Sequence, residues 1–244
     1  MEFFDLKNIS ERYMEIVNPT SEEKILKAGA MLGLDENSRV IDFGCGYGET
    51  LALWAEHFHI SGVGIDIREH ACHRAEKKMS DRGFDRRITI VCASAAEYDF
   101  DPGAFDVTAC MGASFIWSEF RSAVQHMKQA VHDKGKMVFG ETYRRDEHFP
   151  PDFLNEEPKF PHEHDIVHIA RQEGLDLEYL VRSSRDEWDN YEADNWYGLV
   201  RWLNENPEHA DRQQVINTLR KWQDDYFRFG RKYLGWALFI LTSI

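Results

Sequence analysis

The chain has 244 residues, enough for one sizeable α/β domain with an insertion and short for two independent domains. A net charge of −14 and the lack of any Lys/Arg-rich run argue against nucleic acid as a partner, because phosphate binding draws on clustered cations. The start, M-E-F-F-D-L-K-N, lacks the basic and apolar regions of a secretory signal, and the most apolar segment, Leu234 to Ile244, has about half the length of a membrane span. A cytoplasmic protein without a membrane partner is expected. Cys45, Cys72, Cys92 and Cys110 show no C-x-x-C spacing and read as reduced and buried.

Residues 1–35 read as a helical cap split at Asn18-Pro19, with a T-x-x-E capping box at Thr20 and Glu23 opening the second helix. Val40, Ile41 and Phe43 then form a short β-branched and aromatic strand that runs into Gly44, Gly46 and Gly48. Glycines at alternate positions allow φ > 0 and let a ligand approach main-chain N–H groups. Glu49 to His57 has helical spacing, with Leu51, Trp54 and Ala55 on one face. Strand and helix keep alternating: strand Gly62–Ile65, helix Glu69–Arg82, strands Ile88–Cys92 and Val107–Met111, helix Glu119–His132, strand Lys136–Gly140. Such alternation predicts a doubly wound, parallel α/β sheet with ligands outside the carboxyl ends of its strands.

Beyond the fifth strand, Tyr143 to Pro161 reads as a long loop of the kind that often serves as a lid. A helix over His162–Glu173, a strand over Leu177–Ser183 and two aromatic-rich helices over Arg185–Arg231 follow, and Leu234–Thr242 closes the sheet. Residues 184–233 are thus a helical insertion before the last strand. His162, His164 and His168 lie near Glu163 and Asp165 in a spacing that matches no standard zinc motif, so no metal is expected.

Two features of the first turn bear on its ligand. Its glycines are spaced G-x-G-x-G rather than the G-x-G-x-x-G of dinucleotide folds, and Asp42 sits two residues before the first of them. A carboxylate there repels a pyrophosphate and suits an ammonium group. The D-x-G-x-G-x-G pattern resembles the class I S-adenosylmethionine-dependent methyltransferases. Asp66 and Ile67, at the end of the second strand and 20 residues beyond Gly46 in the case of Asp66, stand where ribose hydroxyls are met in nucleotide folds, NAD sites included. The resemblance implies S-adenosyl-L-methionine as cofactor and a seven-stranded Rossmann-like sheet whose last strand is antiparallel. It further implies cofactor contacts from Asp42, Gly44, Cys45 and Gly46, with the Cys45 thiol turned into packing. Ser94 and Ala95 would meet the adenine edge, Ser94 replacing the family's more usual Asp, and Met111, Gly112 and Ala113 would face the methionine end. The N-P-T-S-E-E-K start, the C-M-G-A-S loop and the D-E-W-D-x-Y run also resemble a group of uncharacterised bacterial methyltransferases, without bringing a substrate.

The expected activity is methyl transfer to a small-molecule acceptor, with 1–35 and 184–233 covering the acceptor pocket. Trp117, Glu141, Tyr143, Trp188 and Tyr191 are the candidate acceptor contacts, since each falls at the same edge or in the insertion. Packing or a solvated turn explains Trp117, Glu141 and Tyr143 equally well, whereas a stripe such as Trp188, Tyr191, Trp196 and Tyr197 is more often the core of two packed helices, with two of the four expected to touch ligand. DNA-methylating members usually carry N-P-P-Y or P-C after the fourth strand, whereas this chain has C-M-G-A-S-F. No single residue is identified as catalytic. Two other readings stay open: a non-catalytic module that binds the nucleoside as a sensor or subunit, and an NAD-linked oxidoreductase, against which Asp42 and the glycine spacing count.

Overall fold

A computed structural model describes residues 1–145 and 160–244. Two helices, α1 (Phe3–Ser10) and α2 (Glu22–Leu32), precede β1 (Arg39–Phe43), α3 (Glu49–Phe58), β2 (Ser61–Asp66), α4 (Glu69–Asp81), β3 (Ile88–Cys92) and β4 (Phe105–Met111). A 3-10 turn (Ser114–Trp117), α5 (Phe120–Ala130), β5 (Val131–Arg144), α6 (Glu163–Gln172) and β6 (Asp176–Arg182) follow. The chain ends with α7 (Arg185–Glu205), α8 (Arg212–Asp225), one π-helical turn (Tyr226–Gly230), a short helical turn (Arg231–Tyr233) and β7 (Leu234–Thr242).

The sheet has the order β3-β2-β1-β4-β5-β7-β6, in which β7 pairs antiparallel with both β5 and β6 and the other pairs are parallel. The order reverses between β1 and β4, so the β1 and β4 turns diverge and leave a crevice at the carboxyl edge. Alternate residues feed two apolar layers. Val138, Leu238 and Ile240 pack with α2 and α3 on one face, while Met137, Phe139, Phe239 and Leu241 pack with α5 and α6 on the other. The seven-stranded Rossmann-like α/β architecture with its antiparallel last strand is the one the motif order implies.

Several local expectations change. The T-x-x-E box does not form: the N-cap of α2 is Ser21 and makes no capping bond. Thr20 is drawn into the interior instead, where its Oγ1 accepts the buried Trp236 indole N–H at 2.8 Å, and the Ser21 hydroxyl bonds to Glu187. An indole N–H cut off from water needs an acceptor, which outweighs a surface cap. Helix α5 stops at Ala130, and the chain turns extended at once, with Val131 opposite Phe105. Cys45, Cys72 and Cys110 are buried, but Cys92 ends the edge strand β3 and is exposed; all four are free thiols. Of the long loop expected over Tyr143–Pro161, Tyr143 and Arg144 belong to β5, and 146–159 lie outside the described residues.

Strand β5 runs on to Arg144 because β7 pairs with it along its whole outer length, from Lys136↔Thr242 to Arg144↔Leu234. The two strands therefore project past the carboxyl edge of their neighbours and wall one side of the crevice. Helices α1, α7 and α8 close the other side through their own apolar contacts, Leu6 with Leu199, Leu203 and Val215. Helix α1 crosses α7 at Gly198, where a Cβ would lie 2.2 Å from the Ser10 carbonyl oxygen and 2.7 Å from that of Ile9. Both obstacles are backbone, so the crossing cannot relax by a rotamer change. Gly198→Ala is expected to push α1 off α7 and lower Tm by about 3 to 10 °C, an overpacking cost of about 1–3 kcal/mol; calorimetric melting checks it, and an unchanged Tm would show that the helices separate freely.

Candidate functional site

A cavity of about 720 Å³ opens at the carboxyl edge. One end is framed by the first four strands: Gly44 and Gly46 after β1, Asp66, Ile67 and Arg68 after β2, Ser94 and Ala95 after β3, and Met111, Gly112 and Ala113 after β4. The other end is bounded by Phe3, Phe4, Lys7 and Glu11 of α1, by Trp188, Tyr191, Glu192 and Asn195 of α7, by Trp222 of α8, and by Tyr226 of the π turn. A π turn inside a run of helix often marks a functional position, and here it brings the Tyr226 ring to the cavity wall.

The turn after β1 is built differently from the expected array of free N–H groups. Gly44 and Cys45 donate to the Ile65 carbonyl at 2.8 and 2.9 Å, and the Gly46 N–H donates to Asp66 Oδ2 at 2.9 Å. Glycine serves conformation and clearance instead. Gly44 and Gly46 have φ of 75° and 55°, and a Cβ on Gly44 would stand 2.4 Å from that of Ala113, on Gly46 2.8 Å from Val17. With the Gly44, Cys45 and Gly46 donors spent, the glycines themselves offer nothing to a pyrophosphate, which binds through such N–H groups. The backbone N–H groups of Ser94 and Ala95, in contrast, have no partner among the described residues. The Cys45 thiol points inward, against the close-packed Gly64 of β2.

Asp42 lies just beside the main cavity, lining a small pocket of about 20 Å³ with Val17, Asn18, Thr50 and Met111. It is 2 % exposed and its Oδ1 has no hydrogen-bond partner, so burial, with the charge of Asp66 adding to it, pushes its carboxyl up to about 7. An orphaned carboxylate oxygen at the floor of a glycine cradle fits a ligand carrying an ammonium group.

Asp66 is the most connected group of the site. Besides the Gly46 N–H, it accepts the Arg68 N–H at 2.9 Å and Arg68 Nε at 3.4 Å through Oδ1. Arg68 Nη1 reaches Glu11 Oε2 at 2.7 Å, and the other oxygen of Glu11 meets Lys7 Nζ at 2.7 Å. Lys7 then lies 3.4 Å from the Tyr191 hydroxyl. Burial works against the charge of Glu11, yet the flanking Lys7 and Arg68 cations hold its carboxyl below the usual range. One chain of charges thus links the β1 turn, the start of α4, the N-terminal helix and α7.

Of the sequence candidates for the acceptor, Trp188 and Tyr191 line the cavity, and Trp117, Glu141 and Tyr143 do not. Trp117 turns away into the α5 layer, its ring 5.5 Å from Phe43 and 5.0 Å from His126, while Phe115 and Ile116 take the wall position. Glu141 and Tyr143 fail through strand period: β5 continues past them, and alternation sends Thr142 to the cavity and these two to the opposite face. Tyr143 packs over Gly235 and edge-on to Phe239 at 6.3 Å. Glu141 has an enclosed Oε1 without a partner; burial pushes its carboxyl up to about 7 against the opposing Ser114 hydroxyl. In the same stripe, Trp196 packs on Tyr226 at 5.8 Å and Tyr197 on Tyr13 at 5.3 Å. The histidines end in local roles: His162 caps α6 in a box with Asp165, and His164 stacks on His168. Among the described residues there is no cluster able to hold a metal ion. Sequence reasoning missed Lys7, Glu11, Arg68, Glu192 and Trp222 as wall residues. The i,i+4 pairing of Lys7 with Glu11 was the one readable hint of a charged helix face.

Residues 40–135 match the family model of a methyltransferase domain. The chain is 30% identical to the uncharacterised protein YjhP of Escherichia coli over 240 residues, 96% of each chain. Among solved structures, it is similar to a SAM-dependent methyltransferase from Thiobacillus denitrificans in complex with S-adenosyl-L-homocysteine, at 30% identity and a TM-score of 0.92 over 100% of both chains. A SAM-dependent methyltransferase from Geobacter sulfurreducens, also in complex with S-adenosyl-L-homocysteine, matches at 29% identity and a TM-score of 0.92 over 98% of both chains. With the strand order and the glycine turn, this full-length likeness shows that the chain belongs to the S-adenosylmethionine-dependent methyltransferases of class I fold.

Proposed function

We propose that the enzyme methylates a small molecule enclosed between the strand edge and the helices α1, α7 and α8, with residues 1–35 and 184–233 acting as cap and lid of a single domain. The observation that supports this most is the continuity of the cavity: the cofactor edge opens directly into a chamber walled by aromatic side chains. The enclosed chamber and the charge of −14 disfavour nucleic acid as acceptor. Among the described residues no helix is long and apolar enough to cross a membrane; the cytoplasmic location we assign rests on the four free cysteines.

The residues present fit the cofactor. Asp66 retains one unused lone pair, on Oδ2, for a ribose hydroxyl, Asp42 has a free oxygen for the ammonium of the amino-acid tail, and Ser94 and Ala95 have unspent N–H groups for the adenine edge. Gly44, Cys45, Gly46 and Ile67 shape the cradle, and Met111, Gly112 and Ala113 border the passage to the chamber. When bound, S-adenosylmethionine supplies a methyl group made electrophilic by the sulfonium. The protein's task is to hold a nucleophile in line about 3 Å from that carbon and to keep water out, which oriented aromatic walls accomplish. A general base is dispensable for an acceptor that ionises easily.

Titration calorimetry with S-adenosylmethionine, S-adenosylhomocysteine and NAD on ligand-stripped protein tests the reading. Binding of the two sulfur nucleosides without NAD is expected; NAD binding alone would sink it. Asp66→Ala should weaken S-adenosylhomocysteine by about 1–3 kcal/mol while the protein still melts cooperatively, and unchanged affinity in the folded variant would remove Asp66 from the site. The pH dependence follows from Asp42. Its folded value of about 7 lies above that of an ordinary carboxyl, so the ligand-free protein holds a proton there below that pH. Pairing with an ammonium requires the proton to leave. Affinity should therefore fall as pH drops below about 7, approaching tenfold per unit, and Asp42→Asn should bind more weakly with a flat profile. An equally steep profile in Asp42→Asn would assign the titration elsewhere.

A further inference from the structure

The charges lining the cavity do not balance. Lys7, Glu11, Asp66 and Arg68 form one network with two charges of each sign, and Asp225 at the rim is 2.6 Å from Lys221. Glu192 lines the same cavity and is in no ion pair among the described residues. Among the described residues its one direct hydrogen bond is from the Trp188 indole N–H to Oε1, at 3.0 Å. Burial pushes its carboxyl up, against the Trp188 N–H and the more distant charge of Lys7. A carboxylate kept in such a place without a cation is costly unless its partner arrives from outside.

The walls around it suit a cation. Trp188 and Tyr226 stand 6.4 Å apart between ring centroids beside it, whereas the faces of Tyr191 and Trp222 are taken by the Lys7 ammonium at 5.8 and 5.6 Å. Aromatic faces attract cations, and more strongly where water is excluded.

We propose that the methyl acceptor is an amine, held as its ammonium by the Glu192 carboxylate against the rings of Trp188 and Tyr226. This rests on the methyl-transfer reading and narrows it to nitrogen. For transfer the ammonium gives one proton to Glu192, and the freed nitrogen lone pair forms the N–C bond. The methyl–sulfur bond breaks with its electron pair left on sulfur, so the sulfonium becomes a thioether and no other reactant is required.

The test uses the full chain saturated with S-adenosylhomocysteine, titrated at pH 7 with N-methylbenzylamine, which is protonated there, and with benzyl methyl ether, its neutral isostere. The amine should bind about tenfold or more tighter than the ether, and Glu192→Gln should reduce that ratio below about twofold. S-adenosylhomocysteine affinity within about twofold of the parent would show that the variant is folded. Tyr226→Leu, which leaves the carboxylate in place, should lose more affinity for the amine than for the ether, and equal losses would take the ring out of the proposal. Equal binding of amine and ether, no binding of the amine, or a ratio that survives Glu192→Gln overturns the proposal while leaving the cofactor assignment standing. Failure of S-adenosylhomocysteine itself to bind removes the methyl-transfer reading and this inference together.

Discussion

The site depends on one carboxylate. Asp66 receives the Gly46 N–H, the Arg68 N–H and the Arg68 guanidinium, so it fixes the β1 turn against the end of β2 before any ligand is present. Through Arg68, Glu11 and Lys7 the same charge reaches α1 and then the Tyr191 hydroxyl on α7. The arrangement is an alternating row of two anions and two cations, and only an unbroken row is favourable. Removing an inner member leaves a buried charge without its counter-ion, at a cost of about 3–5 kcal/mol. Helix α1, which adds no strand to the sheet, is thus tied to the strand edge by this row of charges, and to α7 by Leu6, Leu199 and the glycine crossing.

A second constraint comes from β7. Its apolar sequence, L-G-W-A-L-F-I-L-T, is buried almost throughout because it lies between β5 and β6 with a layer of helices on each face. Its outer half pairs with the overhang of β5, and Trp236 there fills the space above Gly112 and Gly140 while its indole N–H is satisfied by Thr20. The last strand therefore completes the sheet, supports the β4 turn and anchors the linker between α1 and α2. A mismatch at this one position would be felt at both ends of the cavity.

The fold was legible in the sequence because its signals are local. Short β-branched runs, glycine turns and helical spacing recur along the first 140 residues, and each element forms close to where its own residues place it. The glycine turn, Asp42 and Asp66 were also visible, since a strand-end carboxylate and φ > 0 glycines are local features. What escaped were positions set by partners far away in sequence. Thr20 reads as a cap until Trp236 is brought beside it. Glu141 and Tyr143 read as lying beyond a strand until β7 extends that strand and alternation turns them from the cavity. Lys7 and Glu11 carry no local sign of a role at the site, because Arg68, which reaches Glu11, lies 57 residues away from it. The aromatic run in α7 was recognisable as a stripe, but which rings face a ligand and which face each other follows from the crossing of α1, α7 and the π turn.

The saturated turn after β1 has a kinetic consequence. Because the Gly44, Cys45 and Gly46 N–H groups are bonded to Ile65 and Asp66, the first half of the cradle is shaped by the protein's own bonds before any nucleoside lies in it. Motion is left to the part held by charge and by a helix crossing. Under the capping role proposed for residues 1–35 and 184–233, the lifetime of a bound nucleoside would be a property of that cap rather than of the groove that recognises it.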